Sequence, residues 1–145
     1  MNTILIALDF SEFSPEVEAK GYALAQQLGA TVTLVSITPI YMEYARPDTG
    51  EVVVEDPVIR QQKSEAILEN ISRSHQDVPT EILSLIGDPK KGILDTITRI
   101  NPAFVVVGTH GRTGLSHFLV GSVAEYVIRH SPVPVLVVPY RTDHH

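Results

Sequence analysis

Five short β-rich runs alternating with four helical patterns predict an α/β fold, a single open five-stranded parallel sheet with helices on both faces. Three observations carry that reading. Apolar runs such as Ile4-Leu-Ile-Ala-Leu8 and Phe104-Val-Val-Val107 are continuous rather than alternating, as in strands covered on both faces. Between the runs lie segments with apolar residues at helical spacing, opened by proline and closed by glycine or asparagine. Strand, helix, strand connections are right-handed, which fixes the face each helix covers.

The elements follow in order. Thr3 to Asp9 suits a buried first strand. Ser14-Pro15 supplies a cap and a first-turn proline for a helix whose Val17, Gly21, Leu24 and Leu28 share one face until Gly29. Thr31 to Thr38 is the second strand, ended by Pro39. Residues 39–56 are the least regular segment and too long for an ordinary connection, so they are either a functional lid or a mobile surface loop. Pro57 to about Gln76 reads as a crossover helix with Ala66, Ile67 and Ile71 inward. Thr80 to Ile86 is the third strand, and Gly87-Asp88-Pro89 gives a turn, a cap and a proline start for the helix holding Ile93, Ile97 and Ile100, which Asn101-Pro102 ends.

The fourth strand, Phe104 to Val107, stops at Gly108, and a helix runs from about Ser122 to His130 until Ser131-Pro132. Val133 to Val138 is the last strand; Pro134 cannot donate to a ladder, so this strand belongs at an edge. Residues 139–145 are read as a flexible tail, with His144-His145 a tag remnant or disordered end. No repeat or boundary divides residues 1–145, which are read as one domain. In the order 3-2-1-4-5 the winding direction reverses between the first and fourth strands, and Asp9 faces the glycine loop there.

Composition narrows the function. The chain has 145 residues, 43% of them apolar, and no run near the roughly 20 apolar residues that span a bilayer. Nothing at the N-terminus resembles an export signal, so a cytoplasmic location without membrane insertion is expected. Zero cysteines exclude disulfides, thiol catalysis and cysteine-ligated zinc. A net charge of −6 argues against nonspecific binding to nucleic acid or anionic lipid.

The most informative stretch is Ala103 to Ser122. Its strand, loop, helix pattern delivers a ligand to the unpaired amides and positive dipole end of the last helix, and the natural ligand there is an anion. Gly108, Gly111 and Gly114 permit positive φ and close approach of a ligand, and Gly121 does the same at the helix mouth. There is no P-loop lysine motif and no Gly-x-Gly-x-x-Gly. What stands instead is Gly108-Thr-His-Gly111, nine residues, then Gly121-Ser122.

With that motif, Ile4-Leu-Ile-Ala-Leu-Asp9-Phe-Ser11 at the front and Ser131-Pro-Val-Pro-Val-Leu-Val-Val138 at the back, nearly the whole chain resembles the ATP-binding branch of the universal stress protein family. The resemblance implies a flavodoxin-like or Rossmann-like fold of the adenine nucleotide alpha hydrolase kind, in the same strand order. It implies adenine near the ends of the first two strands and phosphates in the glycine loop. Residue by residue, Ala7, Leu8 and Asp9 become the adenosine-contacting strand end and Ile37 lines the adenine pocket. Val107, Gly108, Thr109, His110, Gly111, Arg112 and Thr113, with Gly121, Ser122 and Val123, become the ribose and phosphate segments. The implied ligand is ATP, or AMP or ADP, with Mg²⁺, and the implied assembly is a homodimer through the last strand, Val133 to Val138. Ala7 stands where some ATP-binding relatives have proline, at a contact that is mainly apolar and backbone.

Each charged or polar candidate has two readings. Asp9 is a ligand for ribose, adenine or a hydrated metal, or it caps the turn Phe10 to Ser14. His110 is a phosphate donor or base, or contributes backbone alone. Arg112 is a phosphate clamp or a solvated loop residue. Ser122 binds phosphate, caps the helix, or does both. His117 is read as a surface or packing residue and Lys90-Lys91 as a solvated pair. The function expected is a nucleotide-dependent regulatory, stress-response protein with a protein partner and no catalytic residues. A slow ATPase or nucleotidyl-transfer enzyme and a nucleotide-free dimeric scaffold are the alternatives.

Overall fold

The computed structural model describes residues 2–41, 43–109 and 120–140. In chain order the elements are β1 (Thr3–Ala7), α1 (Ser14–Leu28), β2 (Thr31–Thr38), β3 (Glu43–Ala45), β4 (Val52–Val54), α2 (Pro57–Ser74), β5 (Thr80–Ile86), α3 (Pro89–Ile100), β6 (Phe104–Gly108), α4 (Ser122–His130) and β7 (Val135–Val138). Five strands make one parallel sheet in the order β5-β2-β1-β6-β7, which is the expected 3-2-1-4-5 with the short hairpin left out of the numbering. The central pairings run from Thr3 beside Thr31 to Ala7 beside Val35, and from Ile4 beside Phe104 to Ile6 beside Val106.

Side-chain alternation splits the core into two layers. Ile4, Ile6, Val32, Leu34 and Val106 pack with Val17, Tyr22 and Ala25 of α1 and Leu68 of α2. Leu5, Val35, Val105 and Val107 pack with Ile93 and Ile97 of α3 and with Ala124 and Val127 of α4. The central strands are buried on both sides, which is why their sequences are unbroken apolar runs.

Helix ends follow the punctuation read from sequence, except at Ser14 and Ser122, neither of which is a cap. Asp56 caps α2 by accepting from Val58 N–H at 2.9 Å, and Asp88 caps α3 by accepting from Lys90 N–H at 3.1 Å. Gly29 closes α1 at φ 62° and Asn101 closes α3 at φ 46°. Ser14 does not cap α1: it is the first helical residue, and its hydroxyl donates to Asp9 at 3.1 Å.

Three further expectations are corrected. The inward stripe of α2 is Arg60, Ser64 and Leu68, while Ala66 and Ile67 are exposed; a cation and a hydroxyl on the buried stripe left the apolar periodicity pointing to the neighbouring one. Leu28 of α1 is likewise exposed, and Tyr22 and Ala25 take the buried face. Residues 39–56 are not an irregular loop throughout, because they contain the antiparallel hairpin β3–β4, with Glu43 beside Val54 and Ala45 beside Val52. Its turn is closed by Gly50 N–H to Arg46 C=O and Arg46 N–H to Glu51 C=O, both at 2.8 Å, with Gly50 at φ 71°.

At the sheet's far edge, β7 starts at Val135 rather than Val133. Pro134 contributes only its carbonyl, which accepts from Val105 N–H at 3.0 Å. Tyr140, in the stretch expected to be a tail, packs edge-on against Phe13 with ring centroids 4.3 Å apart.

Candidate functional site

The carboxyl ends of β1 and β6 meet where the winding reverses, and a cavity of about 290 Å³ opens there. Of the residues named from sequence, Ala7, Leu8, Asp9, Ile37, Val107, Gly108, Thr109, Gly121, Ser122 and Val123 line it. His110, Gly111, Arg112 and Thr113 lie outside the described residues, as do Gly114 and His117.

β1 stops at Ala7 because the chain turns sharply beyond Leu8, whose N–H still bonds Val35 C=O at 2.9 Å. Phe10 adopts φ 61°, a left-handed conformation costing a bulky residue about 1–2 kcal/mol. That turn folds the chain back so that Asp9 Oδ1 accepts from Ser11 N–H at 3.0 Å and from Ser14 Oγ at 3.1 Å. The turn-capping reading of Asp9 is therefore realised, while the same carboxylate also lines the cavity.

On the opposite wall, Thr109 ties three pieces together. Its carbonyl accepts from Gly121 N–H at 2.6 Å, its N–H donates to Val138 C=O at 3.0 Å, and its Oγ1 accepts from Tyr140 N–H at 3.2 Å. Gly121 is the N-cap of α4 at φ −59°, ψ 155°, and Gly108 is extended within β6, so neither uses the left-handed freedom expected of it. What these glycines offer is the absence of a side chain. Ser122 is the first helical residue and exposed, so it does not fill the cap. The first bond within α4 is Glu125 N–H to Gly121 C=O at 2.9 Å. The amides of Ser122, Val123 and Ala124 precede it, at the positive end of the helix.

The wall is apolar at Val35, Ile37, Pro39 and Ile93 and polar at Asp9, Ser11, Ser14, Thr109 and Ser122. Asp9 is the only charged residue among the described lining residues. Such a pocket takes a flat apolar group at one end and presents helix amides to an anion at the other.

Sequence reasoning missed Pro89 and Ile93, at the mouth of α3, and gave Ser11 and Ser14 no part in the wall. Helical spacing marked Ile93 as buried, but periodicity does not tell which end of a core is open. Ile37 rests on α3 where a Cβ at Gly92 would lie 2.8 Å from its Cδ1, so a missing side chain seats this wall residue.

Comparisons with known proteins agree with this architecture. The universal stress protein MJ0531 of Methanocaldococcus jannaschii is 29% identical over 139 residues, covering 93% of this chain and 80% of that protein. The solved structure of MJ0577 superposes with a TM-score of 0.77 at 22% identity, covering 98% of each chain. An Arabidopsis thaliana universal stress protein with AMP bound gives 0.66 at 19% identity, covering 99% of this chain and 95% of that one. An Archaeoglobus fulgidus universal stress protein in complex with dAMP gives 0.66 at 21%, covering 95% and 97%. With residues 1–139 matching that family, the chain belongs to the universal stress protein family.

Proposed function

We propose that this protein binds an adenine nucleotide in the cavity between β1 and β6 and acts as a nucleotide-dependent regulator. The observation that carries the reading is the convergence, around one cavity, of an apolar wall and the open amides of α4. Ile37 and its apolar neighbours would hold the base and Ala7 to Asp9 the ribose side. Gly121, Ser122 and Val123 would hold phosphate, together with Thr109 and the segment His110 to Thr113. Two proteins of this fold carry AMP and dAMP, which supports the ligand class. ATP is the form proposed here. Among the described residues no group of three or more His, Asp or Glu could hold a metal, so Mg²⁺ would arrive on the phosphates with Asp9 as its single nearby carboxylate.

Regulation follows if nucleotide binds two conformations unequally, since only differential affinity shifts a population. We further propose a cytoplasmic homodimer joined through the edge strand β7. No residue is assigned a catalytic role. Calorimetry with AMP and with Mg·ATP, beside mass spectrometry of whatever copurifies, tests the reading, with saturable binding of an adenine nucleotide expected. No binding of either, and no copurifying nucleotide, would leave a nucleotide-free scaffold. Turnover of ATP faster than about 1 per minute, lost in Asp9→Ala, would make the protein an enzyme.

A further inference from the structure

The hairpin β3–β4 stands off the body: no other described element packs on it beyond isolated contacts. A two-stranded hairpin is marginal in water on its own and normally gains a third strand or a covering layer. Paired residues point to the same side of a sheet, so Glu43, Ala45, Val52 and Val54 share one face, and all four are exposed. Val52 and Val54 are 59% and 57% exposed, although β-branched residues belong on a half-buried surface. Tyr41, 64% exposed, extends the strip, because its hydroxyl donates to Glu43 Oε2 at 2.5 Å.

The charges around this strip are one-sided. Residues 40–56 carry Glu43, Asp48, Glu51, Glu55 and Asp56, opposed by Arg46, 4.0 Å from Glu51, and by the buried Arg60 of α2, 3.6 Å from Glu55. Asp48 and Glu51 flank the apolar strip at the turn; at the root the exposed Asp56, which also caps α2, follows the Arg60-paired Glu55. A second copy of the chain would bring the same carboxylates against these. We infer that the exposed face of the hairpin docks an extended segment of another protein, apolar at its centre and flanked on both sides by lysine or arginine. Apolar side chains cover Tyr41, Val52 and Val54, and the flanking cations meet the two acidic ends. Electrostatic matching sets register and partner choice, while apolar burial supplies the affinity.

The proposal does not depend on nucleotide binding and is tested on the full chain with a synthetic peptide, Lys-Lys-Leu-Val-Leu-Lys-Lys. A shuffled peptide of the same composition and a twin with glutamate in place of lysine serve as controls. The flanked peptide should bind, and the Val52→Ser, Val54→Ser double variant should weaken it at least about tenfold at unchanged net charge. Glu43→Lys with Glu51→Lys should weaken it too. Because these side chains are exposed, the melting temperature of each variant should stay that of the parent. Failure of the flanked peptide to bind, equal binding of the shuffled peptide, or an unaffected serine variant overturns the proposal. So does loss of a dimer in the serine variant, seen by sedimentation, which would make the occupant a second copy.

Discussion

At the scale of single residues, the glycine at the mouth of α4 separates two reasons for having no side chain. Gly121 sits at φ −59°, ψ 155°, which any residue adopts, so replacing it strains no backbone. A valine there would instead add a branched side chain to a buried residue of the cavity lining, next to Ser122 and Val123. Gly121→Val is therefore expected to keep the melting temperature within a few degrees and to weaken adenine nucleotide binding by at least about tenfold. Calorimetry beside thermal unfolding checks both halves, and unchanged affinity would move the phosphates elsewhere. Gly21 behaves differently, since a Cβ there would lie 2.5 Å from Cδ1 of the fully buried Ile6. That glycine serves packing, and the sequence alone does not distinguish the two kinds.

At the scale of elements, the hairpin is joined to the cavity through one buried side chain. Arg60 of α2 is 8% exposed; its Nη2 donates to Pro39 C=O at 2.7 Å, and its Nε lies 3.6 Å from Glu55. Pro39 lines the cavity and Glu55 follows β4, so one guanidinium holds both roots of the hairpin. Its Nε and Nη1 have no hydrogen-bond partner, so desolvation offsets much of what the ion pair contributes. Arg60→Met keeps the stem's packing but leaves the partly exposed Glu55 without its cation and Pro39 C=O without its donor. Global stability should change by no more than about 1 kcal/mol, while amide exchange in residues 43–54 quickens and that of β1 and β6 does not. A loss of more than about 3 kcal/mol in denaturant unfolding would instead make Arg60 a pillar of the fold.

This pin also marks where sequence reading stops. The parallel strands were legible because burial on both faces makes Ile4 to Leu8 and Phe104 to Val107 continuous, and α3 and α4 because proline, glycine and asparagine punctuate them. Arg60, Ser64 and the hairpin were not. A buried arginine looks solvated until its acceptor, Pro39, is known to lie across the gap, and Val52 to Val54 is too short a run to announce a strand by period. In the cavity wall, residues from β1, β2 and β6 could be named because topology alone places strand ends together. Phe10 in a left-handed turn and the part of α3 in the wall depend on packing that no local pattern encodes.

At the scale of the whole molecule, the homodimer proposed through β7 rests on an open edge of the sheet. β7 ends the sheet with its outer amides and carbonyls unpaired within it, and Leu136 on that strand and Ile128 on α4 are 37% and 46% exposed. A strand of four residues offers a short ladder, so backbone pairing between two copies needs side-chain burial beside it. Each chain carries a net −6, and the two copies repel unless salt screens them, over about 10 Å at 0.1 M. Three results are then expected from sedimentation. The parent protein is a dimer at moderate salt and dissociates more readily at low salt. Leu136→Lys, which sets like charges opposite one another across the two-fold axis, is a monomer with an unchanged far-ultraviolet spectrum. A parent protein that is monomeric at every concentration and salt, or a Leu136→Lys variant that still dimerises, would remove β7 as the joining surface.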